Sequence, residues 1–309
     1  MSASGSTRAI LAALMANAGI AVAKFVGFLI TGSSSMLAEA VHSVADTSNQ
    51  ALLLLGQRRA RREATELHQF GYGRSRFFYS FVVALVLFSL GAVFALYEGY
   101  HKVVDPHPLT SPMVAVVILV VAIGLETYSF RTAVVESRPL KGAGTWWQFI
   151  RRSRNPELPV VLLEDTGALF GLLFALLGVG LTVLTGNPIW DGIGTMMIGA
   201  LLGVIAVILM IEMHSLLIGE SATGEELAAI QRALEGTEHV DRVIHLRTQY
   251  LGPEEMLVGA KIALPPDTDL ATVSAAIDSA EAAVRAAVPA VQMIYLEPDL
   301  DRTRGDRAG

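Results

Sequence analysis

The residues with the clearest chemical potential are ionisable side chains inside a largely apolar segment, residues 36–56. Glu39, His42 and Asp46 follow one another at spacings of three and four, which place them on one face of a helix. An imidazole nitrogen and a carboxylate oxygen four residues apart suit Zn²⁺ and its first-row neighbours as ligands. Asn49 continues the same stripe one turn later. The pattern predicts a metal-binding helix face.

Further acidic residues lie in two later apolar segments. Glu164 and Asp165 are adjacent within residues 157–184, and Glu126 lies deep within residues 112–135. Neighbouring helical residues differ by about 100° in direction, so Glu164 and Asp165 are not expected to point fully at one ion. Ionisable residues are costly inside a membrane and mark functional sites there. All three carboxylates are therefore candidates for the same site.

One basic residue, Lys24, lies in the first apolar segment. We expect it to pair with Glu39, because a buried lysine beside a carboxylate commonly neutralises it. His42, Asp46 and Asp165 then lack enough nearby cations to balance them. This imbalance indicates that they bind a metal ion or protons.

The composition indicates a membrane protein and excludes several classes of function. The 309 residues have a mean hydropathy of +0.50, and only 17% are charged, against roughly 25% in a soluble chain. The chain contains no cysteine, which excludes a disulfide scaffold, Cys-ligated zinc fingers and thiol catalysis. The net charge of −6 argues against a nucleic-acid partner.

Six segments approach the roughly 20 apolar residues that a membrane-spanning helix needs. Polar turns at 31–35 and 185–188 separate the first two and the last two. We therefore predict a membrane all-α six-helix transmembrane bundle over residues 1–220, in contact with membrane lipid. The predicted spans are 8–31, 36–56, 76–100, 112–135, 157–184 and 190–213.

Basic residues cluster in only two of the connections between these segments. One cluster follows the second span and the other follows the fourth, and the remaining three connections carry only Lys102. The positive-inside rule then places both clusters and both termini in the cytoplasm, in a multi-pass protein of the cell membrane. The clusters are Arg58, Arg59, Arg61, Arg62 and Arg74, and Arg138, Lys141, Arg151, Arg152 and Arg154.

The C-terminal part, residues 221–300, is acidic and has the amphipathic patterns of a soluble domain. Thr223 and Glu226 form a capping box at the start of a helix. The patterns that follow predict the order α-β-β-α-β, a C-terminal α+β, ferredoxin-like cytoplasmic domain. Residues 301–309 are predicted to be a disordered tail.

Four segments carry recognisable motifs, which are Thr31–Asp46 with its Glu39, His42 and Asp46, Phe70–Arg74, Leu163–Thr166 and Gly186–Pro188. These motifs resemble those of the cation diffusion facilitator family, and the last two look most like its zinc transporter 9 branch. The resemblance covers essentially the whole chain and implies a transporter, not an enzyme. An intramembrane hydrolase is disfavoured independently, because no Ser/His pair or water-activating glutamate motif is visible.

The resemblance implies a tetrahedral metal site made of two residues each from spans two and five. His42, Asp46 and Asp165 match this pattern, but Val161 stands where the family usually has a histidine. Glu164, Glu126, Asn49 or a water molecule are the alternatives for the fourth ligand. With fewer nitrogen ligands, harder ions such as Mn²⁺ become more favourable.

The resemblance also implies a homodimer with zinc sites in its cytoplasmic domains. His245 and Glu297 fall at ligand positions, but Lys261 and Tyr295 replace expected histidines. We therefore expect a dimerisation module with at most a weak metal site. An apolar patch must hold the dimer together. Val258, Ile262 and Leu264 are candidates at strand spacing, and some of them must face the domain's own core.

The expected function is export of a divalent metal from the cytoplasm by proton-coupled antiport and alternating access. Metal binding needs a neutral imidazole and ionised carboxylates, so binding releases protons and protonation expels the metal. Zn²⁺ is the expected substrate, with Mn²⁺, Co²⁺, Cd²⁺ and Fe²⁺ as alternatives. The competing hypothesis is a metal-responsive membrane scaffold or sensor that binds metal but does not transport it.

Overall fold

The computed structural model describes residues 18–300, apart from the side chain of Leu140. The start of the predicted first span and the predicted disordered tail, 301–309, lie outside these residues. The chain divides into two compact units. One contains the residues up to Arg58 together with Phe78–His214, and the other contains Arg59–Phe77 together with the residues from Ser215 onward.

The first unit is helical, and its helices follow the predicted apolar segments. α3 contains a π-helical stretch, Leu87–Val93. Short α5 begins with a capping box between Thr145 and Gln148. The helices are α1 (Ala18–Thr31), α2 (Ser34–Ala60), α3 (Ser75–Val104), α4 (Pro112–Lys141), α5 (Trp146–Arg152), α6 (Glu157–Thr185) and α7 (Ile189–Ile218).

Within the described part of the chain, four helices are long and apolar enough to cross a membrane. They are α3, α4, α6 and α7. Only 14 residues of α1 are described, and α2 is long but carries the polar stripe on its buried face. The six-span bundle therefore remains a prediction.

The two predicted polar turns separate helices as expected. α1 ends at Thr31, and Gly32 has a positive φ of 65°, which glycine adopts without strain. α6 ends at Thr185, the following Gly186 also has a positive φ, and Pro188 immediately precedes α7. These turns bring α1 beside α2 and α6 beside α7.

Glycines allow three of the long helices to pack with their backbones in contact. A Cβ atom added to Gly194 of α7 would lie 3.2 Å from the Cα atom of Gly178 in α6. A Cβ atom added to Gly192 would lie 3.0 Å from the carbonyl oxygen of Gly99 in α3. Such close approach is how small residues stabilise helix pairs in membranes. α7 is therefore held closely against both α3 and α6.

The second unit has the predicted element order α-β-β-α-β. The Thr223–Glu226 capping box is confirmed, and Asp269 caps the second helix through the amide of Thr272. The sheet order is β1-β2-β3, with β1 antiparallel and β3 parallel to β2. The elements are α8 (Gly224–Glu235), β1 (Arg242–Gly252), β2 (Glu255–Ala263), α9 (Leu270–Ala287) and β3 (Val291–Asp299).

One face of the sheet packs against both helices. Val258 and Ala260 of β2 share a buried cluster with Ile230 of α8 and Val284 of α9. The prediction that Val258, Ile262 and Leu264 form a dimer patch is wrong, because they are 0%, 0% and 4% exposed within the domain's own core. The alternation of apolar and polar residues along β2 was predicted correctly, but its apolar face packs against the domain's own helices, α8 and α9. The ferredoxin-like class remains a prediction.

Candidate metal site

The polar stripe of α2 faces the interior of the helix bundle. Glu39, His42 and Asn49 are at most 1% exposed, and the side chain of Asp46 is 15% exposed. Their spacing of three and four residues accounts for this shared direction. α2 therefore places one imidazole, two carboxylates and one amide in the interior of the helical unit.

Acidic side chains from three helices line one small cavity. Asp46 comes from α2, Glu126 from α4, and Glu164 and Asp165 from α6. The cavity holds about 40 Å³, whereas a water molecule needs roughly 10–15 Å³ by the same kind of measure. It therefore has room for a small ion or a few water molecules. Its lining is Ile20, Ser43, Asp46, Gln50, Glu126, Ser129, Val161, Glu164 and Asp165.

Both adjacent carboxylates of α6 reach this cavity, although they point in different directions. The hydroxyl of Ser129 donates a hydrogen bond to Asp165 Oδ2 at 3.1 Å. The amide nitrogen of Asn49 donates to Glu164 Oε1 at 2.9 Å. The carboxyl groups of Glu164 and Asp46 are also close enough to share a hydrogen bond. Glu164 is thus tied to α2 from the cavity wall, while Asp165 is held toward α4.

Several buried polar atoms near this cavity have no hydrogen-bond partner among the described residues. They include both nitrogens of His42, Oδ1 of Asp46 and Oδ1 of Asn49. The nearest approach of His42 Nε2 to Asp46 Oδ2 is 3.5 Å, longer than an ordinary N–H···O bond. A buried polar group without a partner costs about 1–3 kcal/mol. A bound cation would satisfy one nitrogen of His42 and the free oxygens of Asp46 and Asn49, and the second imidazole nitrogen would remain an N–H donor.

The structure brings the predicted ligands close without forming a closed ligand set. Within residues 18–300, no three His, Asp or Glu side chains already converge on one point at metal-binding distances. Asp46, Asp165, Glu164 and Glu126 share the cavity, and His42 lies beside Asp46. Small side-chain movements are therefore needed to complete a metal site. The six residues His42, Asp46, Asp165, Glu164, Glu126 and Asn49 remain a proposed ligand set.

The predicted pairing of Lys24 with Glu39 is confirmed. Lys24 Nζ donates to Glu39 Oε2 at 2.9 Å and to the hydroxyl of Ser43 at 2.8 Å, and both charged side chains are buried. Ser43 also lines the acidic cavity. The ion pair therefore lies next to the cavity, but Lys24 is already engaged by Glu39.

Asp191, in the first turn of α7, is a buried acidic residue that the sequence analysis missed. It is 0% exposed and accepts hydrogen bonds from the residues at the start of α2. The signal available in the sequence was an aspartate just inside an otherwise apolar span, and such residues are costly without a role.

In the second unit, the predicted ligand positions form a row across the sheet with a lysine at its centre. His245, Lys261 and Glu297 are register neighbours on β1, β2 and β3. Lys261 Nζ contacts Glu297 Oε1 at 2.7 Å and Asp299 Oδ2 at 3.1 Å. The hydrogen bond to Glu297, followed by that to Asp299, raises the pKa of Lys261 above its ordinary value. Lys261 therefore stays a cation at physiological pH and cannot bind a metal.

Two protein-family models together match nearly the whole chain. Residues 10–218 match the family model of the cation efflux transmembrane domain. Residues 222–299 match the model of the cation efflux protein cytoplasmic domain, which carries the name ZT_dimer.

Several relatives are similar along much of the chain. The mouse proton-coupled zinc antiporter SLC30A9, mitochondrial, is 33% identical over 244 residues, which are 78% of this chain and 43% of that protein. Metal tolerance protein C4 of Arabidopsis thaliana is 31% identical over 83% of this chain and 57% of that protein. Zinc transporter ZitB of Pectobacterium atrosepticum is 35% identical over 37% of this chain and 36% of that protein.

The chain thus spans 43% and 57% of the length of the first two relatives. The two family models together cover both the helical unit and the small α+β domain. The resemblance drawn from the motifs is confirmed. The chain belongs to the cation efflux, or cation diffusion facilitator, family.

Proposed function

We propose that this protein is a transporter of divalent metal cations, with Zn²⁺ as its main substrate, and not an enzyme. One observation carries the proposal. His42 and Asp46 have buried atoms that could bind a metal and that have no hydrogen-bond partner, and they lie beside a cavity with four carboxylates. Nitrogen and oxygen ligands together suit Zn²⁺, Co²⁺, Mn²⁺, Cd²⁺ and Fe²⁺ better than Ca²⁺ or Mg²⁺. The relatives named as zinc transporters support the same substrate class.

The same ligand atoms support proton coupling as the transport mechanism, because they bind protons as well as metal ions. His42, Asp46 and Asp165 bind a metal only when the imidazole is neutral and the carboxylates are ionised. Protonation at one face of the membrane releases the metal, and deprotonation at the other face restores the site. Alternation between the two faces then exchanges metal for protons. A relative is named a proton-coupled zinc antiporter, which supports this coupling.

We further propose six membrane spans with both termini in the cytoplasm of the cell. The basic clusters after the second and fourth helices support this orientation through the positive-inside rule. Metal would then leave the cytoplasm as protons enter. Labelling of single cysteines introduced into the cysteine-free chain would establish which side of the membrane each loop occupies.

Zinc flux into sealed vesicles separates a transporter from a scaffold or sensor. The full-length protein in vesicles that contain a zinc-sensitive dye should give saturable, protein-dependent metal entry when a proton gradient is applied. Empty vesicles provide the control for leakage. Stoichiometric zinc binding without flux would support the scaffold or sensor.

Replacing Val161 with histidine should increase selectivity for zinc. Val161 lines the cavity one helical turn before Asp165. Val161→His therefore adds a second nitrogen ligand, and we expect the ratio of Zn²⁺ to Mn²⁺ transport to rise about ten-fold. Val161→Leu changes the volume without adding a ligand and should leave the ratio near that of the parent. An unchanged ratio in Val161→His would indicate that Glu164 or Glu126 already fills this coordination position.

We propose that the protein forms a homodimer through its cytoplasmic domain without a bridging metal. The sheet face opposite α8 and α9 carries Leu257 of β2 beside Met293 of β3, with the 62% exposed Tyr295 on the next row. Lys261 occupies the centre of the row where a metal would be held. This face therefore offers apolar contact area to a second copy of the chain. The ammonium group of Lys261, held by Glu297 and Asp299, supplies the positive charge that a bound metal would otherwise provide.

The dimer should survive chelation of metal and weaken at low salt. Both copies carry an acidic C-terminal domain, and salt screens their repulsion with a Debye length of about 8 Å at physiological ionic strength. Light scattering of the detergent-purified protein with EDTA should give a dimer at physiological salt and more monomer at low salt. A protein that is monomeric until Zn²⁺ is added would contradict this and point back to His245 and Glu297 as ligands.

A further inference from the structure

We infer that Asp191 is a positioning residue for transport, because it anchors the start of the helix that carries His42 and Asp46. Its carboxylate accepts hydrogen bonds from the backbone amide of Ser34 at 2.8 Å and the hydroxyl of Ser33 at 2.8 Å. It also accepts from the amide of Ser35 at 3.3 Å and from the Ser35 hydroxyl. One side chain of α7 thus binds three consecutive residues at the start of α2.

This arrangement is a helix cap supplied by a distant part of the chain. The first amides of a helix have no partner within the helix, and a nearby side-chain oxygen normally satisfies them. A carboxylate is especially favourable there because it also meets the positive end of the helix dipole. Asp191 is fully buried, so bulk water does not reach these amides in the folded protein. The start of α2 is therefore capped twice, locally by the Ser33 hydroxyl, which accepts from the amide of Met36 at 3.3 Å, and by a carboxylate 157 positions away from Ser34.

Two further contacts attach the same end of α2 to α3. The hydroxyl of Ser34 donates to Glu98 Oε1 at 2.9 Å, and Lys102 Nζ donates to the carbonyl oxygen of Gly32 at 3.0 Å. α3 and α7 are themselves in backbone contact at Gly99 and Gly192. The start of α2 is therefore attached to a tightly packed pair of helices.

The anchor bears on the metal site because α2 is continuous from Ser34 to the metal-binding stripe. His42 follows Ser34 by eight residues, about 12 Å along a helix axis. A shift or rotation at the anchored end is transmitted along this helix to His42 and Asp46. Their position relative to Asp165 of α6 would then change. This inference rests on the proposed transport function and assigns Asp191 no direct contact with the metal.

The test compares zinc transport by Asp191→Ala and Asp191→Asn with that of the parent in vesicles. Asp191→Ala should raise the KM for Zn²⁺ at least about ten-fold, and the equilibrium affinity of the purified protein should fall in parallel. Asp191→Asn keeps an acceptor for the amides and should recover part of the loss. Thr195→Val is the matched control, since its buried hydroxyl donates only within α7, to the Asp191 carbonyl oxygen. It should leave KM within about two-fold.

A purely structural role would reduce the yield of folded protein and leave the KM of the folded fraction unchanged. That result would overturn the inference. If Asp191→Ala does not fold, Ser35→Ala provides a milder substitution. It removes one hydroxyl that donates to Asp191, and it should still raise KM. An unchanged KM in folded Ser35→Ala and Asp191→Asn together would likewise reject it. Absence of zinc flux in the parent protein would instead reject the proposed function.

Discussion

Folded Asp46→Ala and Asp165→Ala proteins should lose metal flux by at least about 100-fold. Loss of an outer-shell partner already costs roughly 10–100-fold in metal affinity or activity, and these residues are proposed as direct ligands. Asp46 and Asp165 come from α2 and α6 and line the same cavity. Zinc flux in vesicles, normalised to the amount of folded protein, measures the effect.

The control for this pair is Asp105→Ala, which removes an exposed aspartate whose side chain is 77% accessible. It should transport zinc at the parent rate. Asp46→Asn preserves the shape of the side chain but removes its ability to ionise, and it should fail almost as completely as Asp46→Ala. Normal flux from a folded Asp46 or Asp165 variant would remove that residue from the site.

Replacing Lys24 alone should destabilise the protein strongly. Lys24→Met leaves Glu39 buried without its cation, and breaking a buried ion pair in this way costs about 3–5 kcal/mol. The double variant Lys24→Met with Glu39→Gln removes both charges and should recover most of the loss. Unfolding of the detergent-purified protein by heat or denaturant would measure the three stabilities.

Lys102→Met provides the comparison for this experiment. Lys102 Nζ donates to the carbonyl oxygen of Gly32, so its loss should cost about 1.5–3 kcal/mol, the contribution of a hydrogen bond that involves a charged group. If the double variant were as unstable as Lys24→Met, the ion pair would not be the source of the effect. Lys24 would then stabilise the fold through its other contact, with Ser43.

The sequence was sufficient to predict features that depend on local spacing. The stripe of Glu39, His42 and Asp46 on α2 follows from helical periodicity, and burial of that stripe agrees with the cost of ionisable groups in a membrane. The capping box at Thr223 is likewise a four-residue pattern. The pairing of Lys24 with Glu39 was predictable because the two side chains carry opposite charges and lie in successive apolar segments.

Features that depend on long-range packing were not predictable in the same way. The contact of Asp191 with Ser34 joins α7 to α2 across 157 positions of the chain, and no local pattern links the two residues. The alternation of β2 identifies two faces, but only the position of α8 and α9 shows that Val258 and Ile262 face inward. Adjacent Glu164 and Asp165 both reach the cavity because it extends from α2 to α4.

Zinc-driven proton movement across a vesicle membrane tests the central claim most directly. The full-length protein is reconstituted into sealed vesicles containing a pH-sensitive dye, and a zinc gradient is applied in the absence of a pH gradient. The proposed antiport predicts that protons move opposite to zinc and that Asp46→Ala abolishes both movements. Zinc binding by the same folded protein, without movement of either zinc or protons, would contradict the proposed function.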